Sequence, residues 1–338
     1  MSEALARLLE CRQYLVADGG MATSLFGLGL EAGGSPELWN VEFPDRVASI
    51  HQGFVDAGAD ILLTNTFGGT RHRLKLHGAQ DRTAEVNLAA ARLARSVADA
   101  APRDIVVVGD IGPTGELFEP LGQLTGRDGV AAFAEQARAL AEGGVDAIWV
   151  ETMSAREEIA AAVEGAAATG LPVVCTFTFD TAGRTMMGVA PEEMPALCRD
   201  LAGPPVALGA NCGNGPAELV AALAAISRAA RAGDVLVAKS NCGVPEFVNG
   251  HIHYSGTPEV MARYARMARD AGARIIGACC GSTPVHLRAI ADALDGYEPG
   301  AAPEVAEIEA SLGPIAAAAK RTGPAPERPR HRRRRRDR

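Results

Sequence analysis

The chain has 338 residues, 47% hydrophobic and 22% charged, enough for one large domain or two ordinary ones around a sizeable core. Its formal charge of −8 is uneven: residues 328–338 hold eight arginines and one aspartate, so the body before them is strongly acidic. An acidic body does not read as a nucleic-acid binder, and no apolar run approaches the roughly 18 residues of a membrane span. The start MSEALARLLECRQYLVADGG lacks the basic and apolar regions of a signal peptide, so the expectation is a cytoplasmic protein without membrane contact.

Taken in chain order, short apolar runs predict strands at Tyr14–Ala17, Ile61–Leu63, Ile105–Val108, Ala147–Val150, Val173–Phe177, Val206–Ala210, Val235–Ala238 and Arg274–Gly277. Each is continuously apolar rather than alternating, the pattern of parallel strands covered on both faces. Helical patterns over Pro44–Ala57, Ala131–Ala141, Glu157–Ala168 and Pro258–Ala271 lead into the next strand through glycine turns. Repeated βα units in about 290 residues suit a single (β/α)8 TIM barrel. No GxGxxG follows the first strand and there is no P-loop, so an open doubly wound sheet is the weaker reading. The barrel is expected over 1–298. Residues 299–338 form an Ala/Pro/Glu-rich extension with one helix near Glu304–Ala319, then an arginine-rich tail whose composition is that of a disordered segment.

Polar residues follow every predicted strand, where a barrel carries its chemistry. They include Asp18, Gly19 and Gly20; Thr64, Asn65, Thr66 and Phe67; Asp110; Glu151; Thr178 and Asp180; Asn211 and Cys212; Lys239, Asn241 and Cys242; and Cys279 with Cys280. Seven cysteines without a secretion signal argue against a disulfide framework. Cys212, Cys279 and Cys280 together offer three thiolates suited to Zn²⁺, leaving a fourth position open. Neighbours in a strand point to opposite faces, so Cys279 and Cys280 share a metal only if the backbone turns there, which Gly281 allows. Each cysteine alone reads equally as a buried thiol, an Asp before Gly-Gly as a turn residue, and a Glu after a strand as a cap or ion pair.

The stretches LVADGGMATSLFGLGL, GADILLTNTFGGT, GDIGPTGE, WVETMS, GANCGNGP, KSNCGVPEF and GARIIGACCGSTPVHL, spread over residues 14 to about 290, resemble the homocysteine S-methyltransferase family. The GANC and GACCG pair is the most specific. The resemblance implies a TIM barrel with Zn²⁺ on Cys212, Cys279 and Cys280. It implies that Asp18 and Glu151 hold the amino group of L-homocysteine, and that Gly19, Gly20 and Thr64, Asn65, Thr66 and Phe67 shape the amino-acid pocket. Asn211 and Asn241 lie in matching polar positions and orient neighbours. The implied reaction moves a methyl group from a small donor to the homocysteine thiol, giving methionine.

Betaine is the favoured donor, with S-methylmethionine or a corrinoid- or methylfolate-linked donor as alternatives. A cationic donor suits aromatic faces, and Trp39, Phe67, Phe118, Phe177 and Tyr254 are candidates. In betaine enzymes a tyrosine follows the Phe67 position, and Gly68 stands there here. The cluster Arg71, His72, Arg73 and Lys75 could meet a donor carboxylate, or form a solvated helix face. Partner expectations beyond the substrates are a homo-oligomer or a separate corrinoid protein. Cys242 reads as a neighbour of the site, Cys11, Cys175 and Cys198 as structural, and His251 and His253 as surface residues. Rival readings are a zinc-free barrel lyase using Lys239 as a Schiff-base amine, and a nucleic-acid-binding protein using the arginine tail.

Overall fold

A computed structural model describes residues 3–248 and 251–315. The side chains of His251 and His253, the end of the expected helix near Glu304–Ala319 and the arginine tail lie outside the described residues.

Eight parallel strands form the barrel: β1 (Leu15–Val16), β2 (Ile61–Leu63), β3 (Val106–Ile111), β4 (Ala147–Met153), β5 (Val173–Phe177), β6 (Ala207–Cys212), β7 (Val235–Ser240) and, after an antiparallel hairpin of β8 (Pro245–Val248) and β9 (His251–Tyr254), β10 (Ala273–Ala278). Their order is β1-β10-β7-β6-β5-β4-β3-β2, and a parallel bridge between Ala17 and Ile61 joins the ends. The fold is the expected (β/α)8 barrel. A helix follows each barrel strand, at Pro44–Asp56, Thr83–Ala100, Gly126–Glu142, Arg156–Ala167, Met194–Arg199, Pro216–Ala229, Pro258–Asp270 and Pro284–Leu294. Several start at a proline in the first turn, where the missing N–H costs nothing. Thr125 and Thr257 cap their helices by accepting from the Asp128 and Val260 N–H groups.

Alternation along the strands sorts two cores. Leu15, Ala17, Ile61, Leu63, Val106, Val108, Ala147, Trp149, Val174, Ala207, Val237 and Ile275 pack together as the barrel interior, closed below by Leu5, Leu8 and Leu9 of the first helix, Glu3–Cys11. The intervening residues, among them Val16, Leu62, Val107, Ile148, Cys175, Leu208, Leu236 and Ile276, face the helices. Continuous apolar strands are therefore the product of two buried faces.

The same two-residue period carries polar side chains into the top of the barrel. Asp110 lies two beyond Val108, Glu151 two beyond Trp149 and Lys239 two beyond Val237. These residues are within their strands, not after them as expected, because β3, β4 and β7 run past the apolar segment. Asn211 and Cys212 likewise end β6 from within it. The last helix is shorter than expected, Val305–Leu312, and stops at Gly313 with φ +104°. It lies against the helical layer through buried Ile308, and the Arg263 side chain donates to the Ser311 carbonyl.

Candidate active site

Three cysteines, one at the end of β6 and two in the turn after β10, converge at the barrel mouth. The sulfurs of Cys212, Cys279 and Cys280 all lie within 4.8 Å of one another. β10 ends at Ala278, so Cys279 and Cys280 occupy a turn rather than a strand, and Gly281 follows at φ +78°. That turn removes the alternation that would set neighbouring side chains on opposite faces. Cys212 itself has φ +61°, a rare conformation for a residue with a Cβ, which re-aims the end of β6.

Two asparagines hold this backbone. The Asn241 side chain donates to the Gly213 carbonyl at 2.8 Å and accepts from the Cys280 N–H at 3.0 Å, tying one cysteine loop to the other. Asn211 accepts from the Thr152 N–H at 2.9 Å and donates to the Thr152 hydroxyl at 2.7 Å. Thr152, like Cys212, has φ +61°. Hydrogen bonds from Cys212 and Cys279 hold the Cys280 thiol well below its ordinary pKa, so the cluster favours a thiolate there.

A cavity of about 320 Å³ opens beside the sulfurs. Its wall contains Asp18, Gly19, Gly20, Thr64, Asn65, Thr66, Phe67, Glu151, Cys212, Cys279 and Cys280, and the structure thus brings eleven of the twelve expected residues to one space. Asn211 is not in that wall; its side chain holds Thr152, which is. Cys242 is buried outside the sulfur triad and donates its N–H to the Cys280 carbonyl. Of the aromatic candidates only Phe67 lines the cavity. Trp39 carries Arg46 over its ring, 5.0 Å away, Phe118 and Phe177 are buried, and the Tyr254 ring packs over Gly281. Arg71 is paired with Glu135, whereas Arg73 joins the cavity wall with His77.

Deeper in the cavity the electrostatics are unusual. Lys239, 3% exposed, donates to Asp18 Oδ1 at 3.1 Å and lies 5.4 Å from the centre of the Trp149 ring. The Leu63 N–H supplies Asp18 Oδ2 at 2.8 Å. Burial alone would lower the Lys239 pKa, but Asp18, then Glu151, Cys279 and Asp110, hold its ammonium above the ordinary lysine value. A lysine kept protonated and ion-paired is a poor Schiff-base amine, which removes the physical basis of the lyase reading. Burial pushes the Glu151 carboxyl up to about 8, with Cys279 and Asp18 adding to the shift against Lys239. Asp110 is pushed up by burial and then by Glu151.

Sequence reasoning placed Asp110 at the strand ends without giving it a site role, and missed Glu37, which accepts from the Gly68 N–H at 2.7 Å in the same wall. The period-two count from Val108 was the available signal for Asp110. Glu37 lies in a loop and has no such signal.

A parallel barrel with convergent sulfurs and buried carboxylates at its mouth defines a barrel enzyme built around a thiol-rich site. The chain belongs to the homocysteine S-methyltransferase family, whose model matches residues 15–294. It is 32% identical over 305 residues to the methionine synthase of Mycobacterium tuberculosis, an alignment covering 84% of this chain and 25% of that protein. It is 31% identical over 320 residues to the methionine synthase of Mycobacterium leprae, covering 88% of this chain and 26% of that one. The chain therefore spans about a quarter of the length of these curated relatives. Among solved structures it matches the metallated form of the homocysteine methyltransferase MmuM from Escherichia coli at TM-score 0.71 and 25% identity, covering 86% of this chain and 99% of that one. No described helix is long and apolar enough to cross a membrane.

Proposed function

We propose that this protein methylates the thiol of L-homocysteine to give methionine, with Zn²⁺ held by Cys212, Cys279 and Cys280. The observation that carries the reading is the convergence of three sulfurs, within 4.8 Å of one another, on a cavity lined with buried carboxylates. A tetrahedral zinc with Zn–S bonds of about 2.3 Å sets its sulfurs roughly 3.8 Å apart, so this donor set suits it. When bound, zinc would keep a substrate thiol ionised and nucleophilic at neutral pH.

The protein's own residues do the rest. Asn241 and Asn211 fix the two cysteine-bearing loops, so little reorganisation is needed on substrate binding. The buried acids receive the amino-acid ammonium, and the enclosing wall from Gly19 to Phe67 limits the orientations open to thiol and donor. Displacement of a methyl group by a thiolate needs no general base.

Betaine is the donor we favour. The cavity is at the small end of ligand pockets, Phe67 presents an aromatic face to a quaternary methylammonium, and Arg73 supplies a cation at the wall for a carboxylate. A second reading has the methyl presented by a separate corrinoid protein. Two observations favour it: the curated relatives are named methionine synthase and are more than three times as long, and Leu117, Leu121, Met186 and Met187 are exposed on the loops after β3 and β5. Purified protein with homocysteine, offered betaine, S-methylmethionine, methylfolate and a methylated corrinoid separately, distinguishes the donors by methionine formed. No methionine from any of them would refute the assignment.

A further inference from the structure

We infer that Glu37 binds the quaternary ammonium of the methyl donor, so that this one side chain sets the charge the donor must carry. The inference rests on the homocysteine reading and deepens it on the donor side of the same cavity.

Glu37 is 6% exposed and stands in the loop after β1, in the cavity wall with Phe67, Arg73 and the three cysteines. Its Oε1 accepts from the Gly68 N–H at 2.7 Å and its Oε2 from the Ser35 hydroxyl at 2.6 Å. Both donors are neutral, and Glu37 makes no ion pair among the described residues, whereas Asp18 in the same wall is paired with Lys239. The carboxylate is therefore fixed in place with its charge uncancelled. A buried charge without a counter-ion is costly, and a cationic ligand supplies the missing partner. Arg73 also makes no ion pair among the described residues, with Glu37 or with any other acid. An unpaired anion and an unpaired cation in one wall match a donor that carries both an ammonium and a carboxylate.

Gly68 and Phe67 define the space around the carboxylate. A Cβ at Gly68 would stand 2.7 Å from Glu37 Oε1, so a side chain at position 68 and Glu37 in this place exclude each other. Phe67 is fixed beside it: the Gly112 N–H donates to its carbonyl at 3.0 Å, and its ring covers Gly112, where a Cβ would lie 2.6 Å from it. A methylated ammonium has no N–H to donate, so it is held by a nearby negative charge and an aromatic face. In the transfer the C–S bond forms between the methyl carbon and the homocysteine sulfur, the C–N bond breaks, and its electron pair stays on nitrogen. The amine leaves neutral. Glu37 thus attracts the donor more than the transition state or the product, and its effect falls on donor affinity rather than on the displacement.

The test compares betaine with 3,3-dimethylbutanoate, the same shape with carbon in place of the charged nitrogen. Each is titrated calorimetrically into the zinc-supplemented full-length protein, with L-methionine filling the amino-acid side so that no transfer occurs. The wild type should bind betaine about tenfold or more tighter than the uncharged compound. Glu37→Gln keeps an oxygen for the Gly68 N–H and removes the charge. It should erase the preference by weakening betaine alone, and in turnover it should raise KM for betaine with kcat little changed. Glu37→Met, read by the same ratio, serves if the glutamine variant does not fold. A preference that survives Glu37→Gln, or equal weakening of both compounds, overturns the inference and leaves Glu37 a brace between two loops, while the homocysteine reading stands. A wild type without the preference, or one that takes its methyl group only from methylfolate or a corrinoid, overturns it in the same way. A wild type that forms no methionine from any donor overturns both.

Discussion

Asn241 Oδ1 accepts the backbone N–H of Cys280 at 3.0 Å, so the geometry of one cysteine depends on a side chain thirty-nine residues away. The other end of the same amide holds the Gly213 carbonyl, next to Cys212. Asn241→Ala removes both bonds and leaves the two cysteine loops free to drift apart. Supporting groups of this kind typically change metal affinity about 10–100-fold. Zinc affinity measured by competition with a chromophoric chelator should fall in that range, with the circular dichroism of the barrel unchanged.

Cys212→Ala deletes the only sulfur of the triad contributed by β6. The two remaining thiols are adjacent in sequence and give an incomplete donor set. The variant should fold, since its site is at the mouth and not in the core, but it should purify with less than about a tenth of the wild-type zinc and form no methionine. Metal analysis of protein purified in parallel checks this, and full zinc occupancy would contradict the ligand assignment.

The eight-stranded barrel was legible because its parallel strands are buried on both faces and so read as unbroken apolar runs. Their upper ends were not. Asp110, Glu151 and Lys239 look like loop residues by hydropathy, yet they remain in the sheet because β-pairing continues to Ile111, Met153 and Ser240. The sulfur triad was visible as three cysteines at strand ends, but not the left-handed backbone at Cys212 and Thr152 that aims it. A positive φ at a non-glycine residue depends on tertiary contacts, here with Asn211, and has no local sequence signature. The commitment of Asp18 to Lys239 was equally hidden. Residues 221 apart meet only once the barrel closes.

That pair makes a stability prediction. Lys239→Met leaves the Asp18 charge buried without its counter-ion, and breaking a buried pair from one side costs about 3–5 kcal/mol. Combining it with Asp18→Asn should restore much of that loss, because the buried Asp18 charge is removed together with its counter-ion. Urea unfolding of the two single variants and the double variant gives the coupling directly, and additive losses would show that the ion pair contributes nothing.

His51 gives the fold a dependence on acid that is separate from the mouth. It lies on the Pro44–Asp56 helix, fully buried, and neither ring nitrogen has a hydrogen-bond partner among the described residues. Burial depresses its pKa from 6.5 to about 4. The unfolded chain therefore takes up a proton as pH falls below about 6.5, while the folded chain resists until about 4. Between those values the unfolded state binds more protons, so stability must fall as pH falls, by up to roughly 3 kcal/mol from this one residue. His51→Leu keeps a side chain of similar size and removes the titrating group. Its unfolding free energy should be closer to constant from pH 7 to pH 4.5 than that of the wild type. An unaltered slope in urea titrations across that window would show that the ring is protonated within the fold, or that other groups set the acid response.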